Sequence, residues 1–200
     1  MKKEKIDITG NIIIEEYNSK WKDDFKLICD VIFEKVKEHI LSIEHVGSTS
    51  VEGLCAKPII DIDIIVKDQK NKNIVIKLLE ELGYRHMGDL GIVDREAFFR
   101  YACDIPFNDK EIKIFPVHNL YLCIEGIPSL ENHLNFRDYL KTNKKALEEY
   151  SKLKKELAKT HLDDIDGYCE AKSDFISDCL SKTSFDNSHL LSIKEQNKNK

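Results

Sequence analysis

The chain has 200 residues, enough for one domain with a sizeable core or a small domain with an appendage. Hydrophobic residues make up 42% and charged residues 34%, the composition of a soluble globular protein. A formal net charge of -5 argues against a nucleic-acid wrapper, which needs a basic surface for phosphate contacts, but leaves room for a local basic patch around a small phosphate-bearing molecule.

The first residues, MKKEKIDITG, are basic but carry no apolar stretch behind them. No run approaches the roughly 18 apolar residues of a membrane span, so the expected location is the cytoplasm. The six cysteines are scattered without a C-x-x-C pair and read as reduced thiols packed as small hydrophobes.

Residues 11–16 have the composition of a short strand. From Asn18 the period becomes helical: Trp21, Phe25, Ile28, Ile32 and Val36 recur at three- and four-residue steps, with Asn18 or Ser19 as cap. Residues 40–46 read as a strand stopped by Gly47. The run IIDIDIIV, 59–66, is the strongest strand in the chain. A helix over 69–82 follows, with Gly83 as its stop. From 84 to 125 the chain has β character, with Asn108-Asp109-Lys110 as a hairpin turn. Pro116 argues against a regular central strand at that point. Residues 130–160 and 164–182 are helical; in the first, Leu147, Tyr150, Leu153 and Leu157 form one stripe and the lysines of 141–159 a solvated face. From Ser184 the polar tail reads as loose. The expected architecture is a single domain over 1–183: an α/β part over about 11–126 and a helical part over about 130–182 packed on it.

The strand 59–66 raises a chemical question. Side chains alternate across a strand, so Ile60, Ile62, Ile64 and Val66 share one side and Ile59, Asp61, Asp63 and Ile65 the other. Asp61 and Asp63 then lie roughly 7 Å apart on one face. Two carboxylates on a half-buried face repel unless something positive sits between them. A solvated edge strand is one explanation. A divalent cation is the other, and Mg²⁺ prefers one or two carboxylates with water and phosphate oxygens. Upstream, Gly47, Ser48, Thr49 and Ser50 form a glycine–hydroxyl turn that suits phosphate oxygens or simply caps a helix; twelve residues, 49 to 60, separate its Gly47-Ser48 from Asp61.

Gly-Ser after a strand, followed at this distance by Asp-x-Asp in an apolar strand, resembles the DNA polymerase β-like nucleotidyltransferases. The segment HVGSTSVEGLCAKPIID, His45 to Asp61, resembles the signature of one branch, the GrpB family. GDLGIVDREAFF (88–99), NFRDYLKTNKKALEEYSKLKKELA (135–158) and the pair Tyr17 and Trp21 resemble further family motifs, so the likeness covers about residues 15–182. It implies an α+β fold with a mixed sheet flanked by helices and a helical part packed on it. It also implies Mg²⁺ on Asp61 and Asp63, phosphates at the Gly47 turn, and transfer of a nucleoside monophosphate from a nucleoside triphosphate to a small acceptor. A silent nucleotide- or ligand-binding module on the same fold is the alternative. One departure stands out: superfamily enzymes carry a third carboxylate on a later strand, where this chain reads His118-Asn119-Leu120-Tyr121-Leu122. His118 is a base, a ligand or a packed core histidine. Lys57, Arg95 and Arg100 are candidate phosphate contacts or ordinary strand residues, Arg137-Asp138 a structural pair, and His45 a shaper of the turn.

Overall fold

The computed structural model describes residues 12–107, 113–161 and 164–183. Its centre is a five-stranded mixed sheet in the order β1-β2-β5-β4-β3. The strands are β1 (Ser42–Val46), β2 (Ile60–Val66), β3 (Arg85–His86), β4 (Arg95–Phe99) and β5 (His118–Ile124). The β2–β5 pair is parallel; the other pairs are antiparallel. Among the described residues six α-helices accompany the sheet: α1 (Lys20–Val36), α2 (Gln69–Glu81), α3 (Pro128–Thr142), α4 (Lys144–Thr160), α5 (Ile165–Ala171) and α6 (Ser173–Leu180). This is the expected α+β architecture.

The isoleucine side of β2 meets α1 and α2. Ile60, Ile62, Ile64 and Val66 are buried there with Ile28, Ile32 and Val36 of α1 and Val75 and Leu79 of α2. Burying one such side chain contributes about 1.5–3 kcal/mol, so this layer dominates the fold. Asn18 is the capping side chain of α1: its Oδ1 accepts the Lys20 N–H at 3.0 Å, while Ser19 makes no side-chain cap. Asp68 caps α2 by accepting the Asn71 N–H. Gly83 takes a positive φ of 93° at the end of α2, and the Phe107 ring packs where a Cβ would stand.

His118 belongs to this apolar layer. Its register partner is Ile60, and its Nε2 meets the Tyr84 hydroxyl at 2.7 Å. Its Nδ1 lies 2.8 Å from the Pro116 carbonyl, which only accepts. His118 therefore carries its proton on Nδ1 and accepts at Nε2 from Tyr84. Burial lowers its pKa to about 4, so it stays neutral.

The other side of the sheet carries the second half of the chain. Ile127 and Leu130 at the start of α3 cover Ile65 and Cys123. A further cluster joins Val51 and Leu54 of the β1–β2 connection to Leu140, Ala146, Tyr150 and Cys179. The stripe of α4 is rotated from the expected one. Ala146, Tyr150, Lys154 and Ala158 are buried, and Leu147, Leu153 and Leu157 sit at its margins. Lys154 thus leaves the solvated face predicted for it. It is 2% exposed, donates to the Cys55 carbonyl and lies 5.1 Å from the Tyr150 ring centroid. Tertiary packing draws it in because Cys55 offers an acceptor that water would otherwise supply.

Several element boundaries shift. The first expected strand reduces to one bridge between Glu15 and Ala56. Expected β structure over 97–103 ends at Phe99, because Arg100 turns inward and donates to the Phe115 carbonyl at 3.1 Å and the Ile105 carbonyl at 3.4 Å. Arg100 therefore closes this connection instead of facing a ligand. β5 begins only after Pro116, as its missing N–H demands. The long helix expected over 130–160 breaks at Asn143, whose side chain accepts the Ala146 N–H and starts α4 anew. The expected hairpin turn at 108–110 and the tail from 184 lie outside the described residues.

Two predictions follow from the buried polar groups. Tyr84→Phe strands the His118 Nε2 acceptor and should lower unfolding stability by about 1–3 kcal/mol in a denaturant titration; an unchanged midpoint would show that the bond is worthless. Burial also lowers the Lys154 pKa to about 7. From there to the usual lysine range the unfolded chain binds a proton that the folded chain does not, so this group makes stability rise with pH. The melting temperature of wild type minus that of Lys154→Met should climb between pH 7 and 10; parallel curves would contradict the assignment.

Candidate functional site

The register across the sheet brings the sequence candidates together in rows. Val46, Asp61 and Asn119 are partners in one row, and Glu44, Asp63 and Tyr121 in the next. These side chains share the sheet face opposite His118. Of the three roles open to His118, the structure fits the packed core histidine and not the base or ligand near the carboxylates: β5 alternates like β2, and His118 falls on the Ile60 side.

Asp63 is fully buried. Its Oδ2 lies 2.7 Å from Nδ1 of His133, on α3. Its Oδ1 is buried without a hydrogen-bond partner among the described residues. An ionised carboxylate with one unmet oxygen in the interior is costly unless a cation reaches it. Asp61 accepts from Asn119 Nδ2 at 2.8 Å. Burial raises its pKa, opposed by the Asn119 hydrogen bond and the His133 ring and reinforced by the Asp63 charge. Both carboxylates therefore sit in surroundings that favour an added positive charge.

Gly47 follows β1 at φ 67° and ψ -171°, a conformation open to glycine. It also lies so close to Asp61 that a Cβ would stand 2.1 Å from Oδ2. The absent side chain is what lets the turn lean on the carboxylate. A 3₁₀ turn, Ser48–Ser50, follows. Its hydroxyls divide the work. Ser50 Oγ donates to the Gly47 carbonyl at 2.6 Å. Buried Thr49 donates to the Ile59 carbonyl at 3.2 Å. Having spent its proton there, Thr49 accepts from His45 Nε2 at 3.0 Å. His45, stacked on Phe25 at 4.6 Å, stays neutral because burial lowers its pKa to about 4. Thr49, Ser50 and His45 thus hold the turn, and the outward chemistry falls to Gly47 and Ser48.

Cations gather on the same side. Lys57 and Lys172 repel each other, and Lys172 is attracted to Asp61. Burial is the main cause of the lowered Lys172 pKa, and its ammonium lies 4.1 Å from the Tyr168 ring centroid. Arg95 is placed elsewhere, one strand beyond Tyr121, with its guanidinium 4.2 Å from that ring's centroid.

Sequence reading missed His133 and Lys172. His133 had a signal: it precedes Arg137 by one helical turn, so both reach the sheet from one side of α3. Arg137 Nη1 donates to Glu44 Oε2 at 2.8 Å and to the His45 carbonyl at 3.1 Å, while Asp138 holds its Nε. This joins the helical half to the sheet. Lys172, in the break between α5 and α6, had no signal in its neighbours.

Two carboxylates on one face are the ligand type that Mg²⁺ takes together with water and phosphate oxygens; the Asp63 Oδ1, without a partner among the described residues, is the observation that fits it. Among the described residues no group of three or more His, Cys, Asp or Glu is placed to hold a metal. Glu44 stands beside Asp63, but Arg137 already neutralises it. A hollow lined by Glu16, Gly53, Ser151 and Lys155 is separate from the carboxylates. No helix among the described residues is long and apolar enough to cross a membrane.

Comparisons with known proteins agree with this layout. The family model described as GrpB protein matches residues 11–182. A UPF0157 protein of Halalkalibacterium halodurans is 30% identical over 173 residues, covering 86% of this chain and 83% of that protein. The glutamate-rich protein GrpB of Alkalihalophilus pseudofirmus is 30% identical, covering 86% of this chain and 96% of that one. The crystal structure of conserved protein GrpB from Enterococcus faecalis superposes with a TM-score of 0.69 at 30% identity, covering 90% of this chain and 98% of that one. The chain belongs to the GrpB family.

Proposed function

We propose that the protein is a Mg²⁺-dependent nucleotidyltransferase that moves a nucleoside monophosphate from a nucleoside triphosphate to a small acceptor. The observation that carries this reading is the buried Oδ1 of Asp63, without a hydrogen-bond partner among the described residues, on the same strand face as Asp61, which the Gly47 turn closely approaches. Asp61 and Asp63 would hold the cation, which when bound neutralises phosphate charge. Gly47 and Ser48 approach the phosphate oxygens, and Lys57 and Lys172 supply balancing charge. Asn119 and His133 keep the two carboxylates in place. In the reaction the acceptor oxygen forms a bond to the α-phosphorus as the bond to the bridging oxygen breaks. Pyrophosphate leaves, and the acceptor's proton passes to water.

A second reading has its own support. The strand that carries a third carboxylate in superfamily enzymes presents Asn119 and Tyr121 to the pair. Nucleotide binding without turnover fits that substitution.

Calorimetry with ATP and Mg²⁺ tests both. Wild type should bind; Asp61→Asn and Asp63→Asn should each weaken binding at least about tenfold, since a metal site loses one of two charged ligands. Equal binding by all three proteins sinks the site. Pyrophosphate release across an acceptor panel then separates transfer from silent binding. Gly47→Ala should both displace Asp61 and strain the backbone. The expected cost is about 1–3 kcal/mol in denaturant stability, with loss of ATP binding. Unaltered ATP affinity in that variant would show that the close approach has no part in the site.

A further inference from the structure

The sheet face that carries the carboxylates is covered unevenly. The rows continue beyond β5: Phe99 and then Arg85 extend the line of Asp61 and Asn119, while Ala97 follows Asp63 and Tyr121 and meets the backbone of Met87. Helix α3 covers the next row, at Ile65 and Cys123. At Phe99 of β4 and along β3 the face is open, while Ala97 and Arg95 of β4 are buried. Phe99 is 47% and Met87 41% exposed, and Asn119 and Arg85 are exposed beside them. The patch therefore offers an aromatic ring and a thioether next to the candidate metal site.

Two guanidinium groups frame it, and neither pairs with an acid among the described residues. Arg95 is 6% exposed, stacked on Tyr121, and its Nε is buried without a partner. No ion pair joins Arg95 or Arg85 to a carboxylate among the described residues, and none of Arg85, Met87, Ala97, Phe99, Asn119 and Tyr121 is acidic. Most buried polar groups are satisfied within a protein, so a buried guanidinium Nε with no partner among the described residues leaves a donor to which an anion from outside could be bound. Its fork geometry matches a carboxylate.

We propose that this open face is the acceptor subsite and that the acceptor is a small molecule with a planar ring and a carboxylate. The ring would lie against Phe99 and Met87, with the carboxylate directed to Arg95 and Arg85. The word acceptor rests on the nucleotidyl-transfer reading; the binding does not. In-line displacement puts the attacking and leaving oxygens on opposite sides of the phosphorus. With the leaving phosphates over Gly47, on the β1 side of Asp61, the attacking group comes from the β5 and β4 side, where this face lies.

The full chain, ¹⁵N-labelled, is titrated with 4-hydroxybenzoate and, separately, with its neutral counterpart 4-hydroxybenzamide. The carboxylate should shift the amide signals of 95–99 and 119–121, and the amide should bind at least about tenfold more weakly. Arg95→Gln should bring the two probes to parity, and Phe99→Ala should weaken both alike. If Arg95→Gln does not fold, Arg85→Gln at the exposed position serves, with a partial loss of the preference expected. Shifts confined to other regions, or equal affinity for the two probes in wild type, overturn the proposal. So does a preference unmoved by either arginine change. ATP calorimetry on the same samples separates the two ideas. Probe binding without ATP binding removes the transferase reading and leaves an anion site; ATP binding without probe binding removes this subsite alone.

Discussion

A carboxylate that the fold has buried and only half satisfied governs the design around it. Asp63 points away from the isoleucine core yet is fully buried, and among the described residues only one of its oxygens has a hydrogen-bond partner. A same-sized apolar residue would be less costly to bury there. The surrounding elements hold the carboxylate in place. β2 is fixed from behind by α1 and α2. α3 supplies His133 to one oxygen, β5 supplies Asn119 to the neighbouring Asp61, and Gly47 gives up its side chain to make room.

The same constraint explains how the two halves of the chain are joined. Arg137 reaches from α3 to Glu44 and the His45 carbonyl on β1, one turn from the histidine that touches Asp63. Lys154 reaches from α4 to the Cys55 carbonyl in the connection that follows the Gly47 turn. The helical half is thus pinned by polar contacts at the strand and connection that frame the carboxylates, while its apolar clusters supply most of the adhesion. It brings Lys172 towards Asp61 and leaves Phe99 and β3 uncovered on the far side.

Much of this was legible beforehand, for reasons that can be stated residue by residue. Alternation in IIDIDIIV placed Asp61 and Asp63 on one face and the isoleucines on the other, because side chains in any strand alternate. Helical periodicity found α1, since a stripe at three- and four-residue steps can be buried only one way. Long-range pairing was not legible. His118 looked like a ligand because it opens the HNLYL stretch, yet the parallel register with β2 sets it opposite Ile60 and behind the sheet. Thr49 and Ser50 looked like phosphate donors, yet their protons go to backbone carbonyls that only the folded turn brings near. Lys154 looked like part of a solvated face, and one acceptor from a distant loop reversed that.

The local pattern of the chain by itself determined the two faces of β2, the glycine needed before the hydroxyl turn and the membership of a family through one long motif. These depend on near neighbours, where backbone geometry leaves few options. The tertiary structure alone decided what the carboxylates face. It brought His133 and Asn119 to them, tied Glu44 to Arg137, set Lys172 beside Asp61 and left Arg95 on Tyr121 without an acid. Those outcomes depend on strand order and helix placement, which are settled by how the whole apolar surface is buried and not by any short stretch of residues.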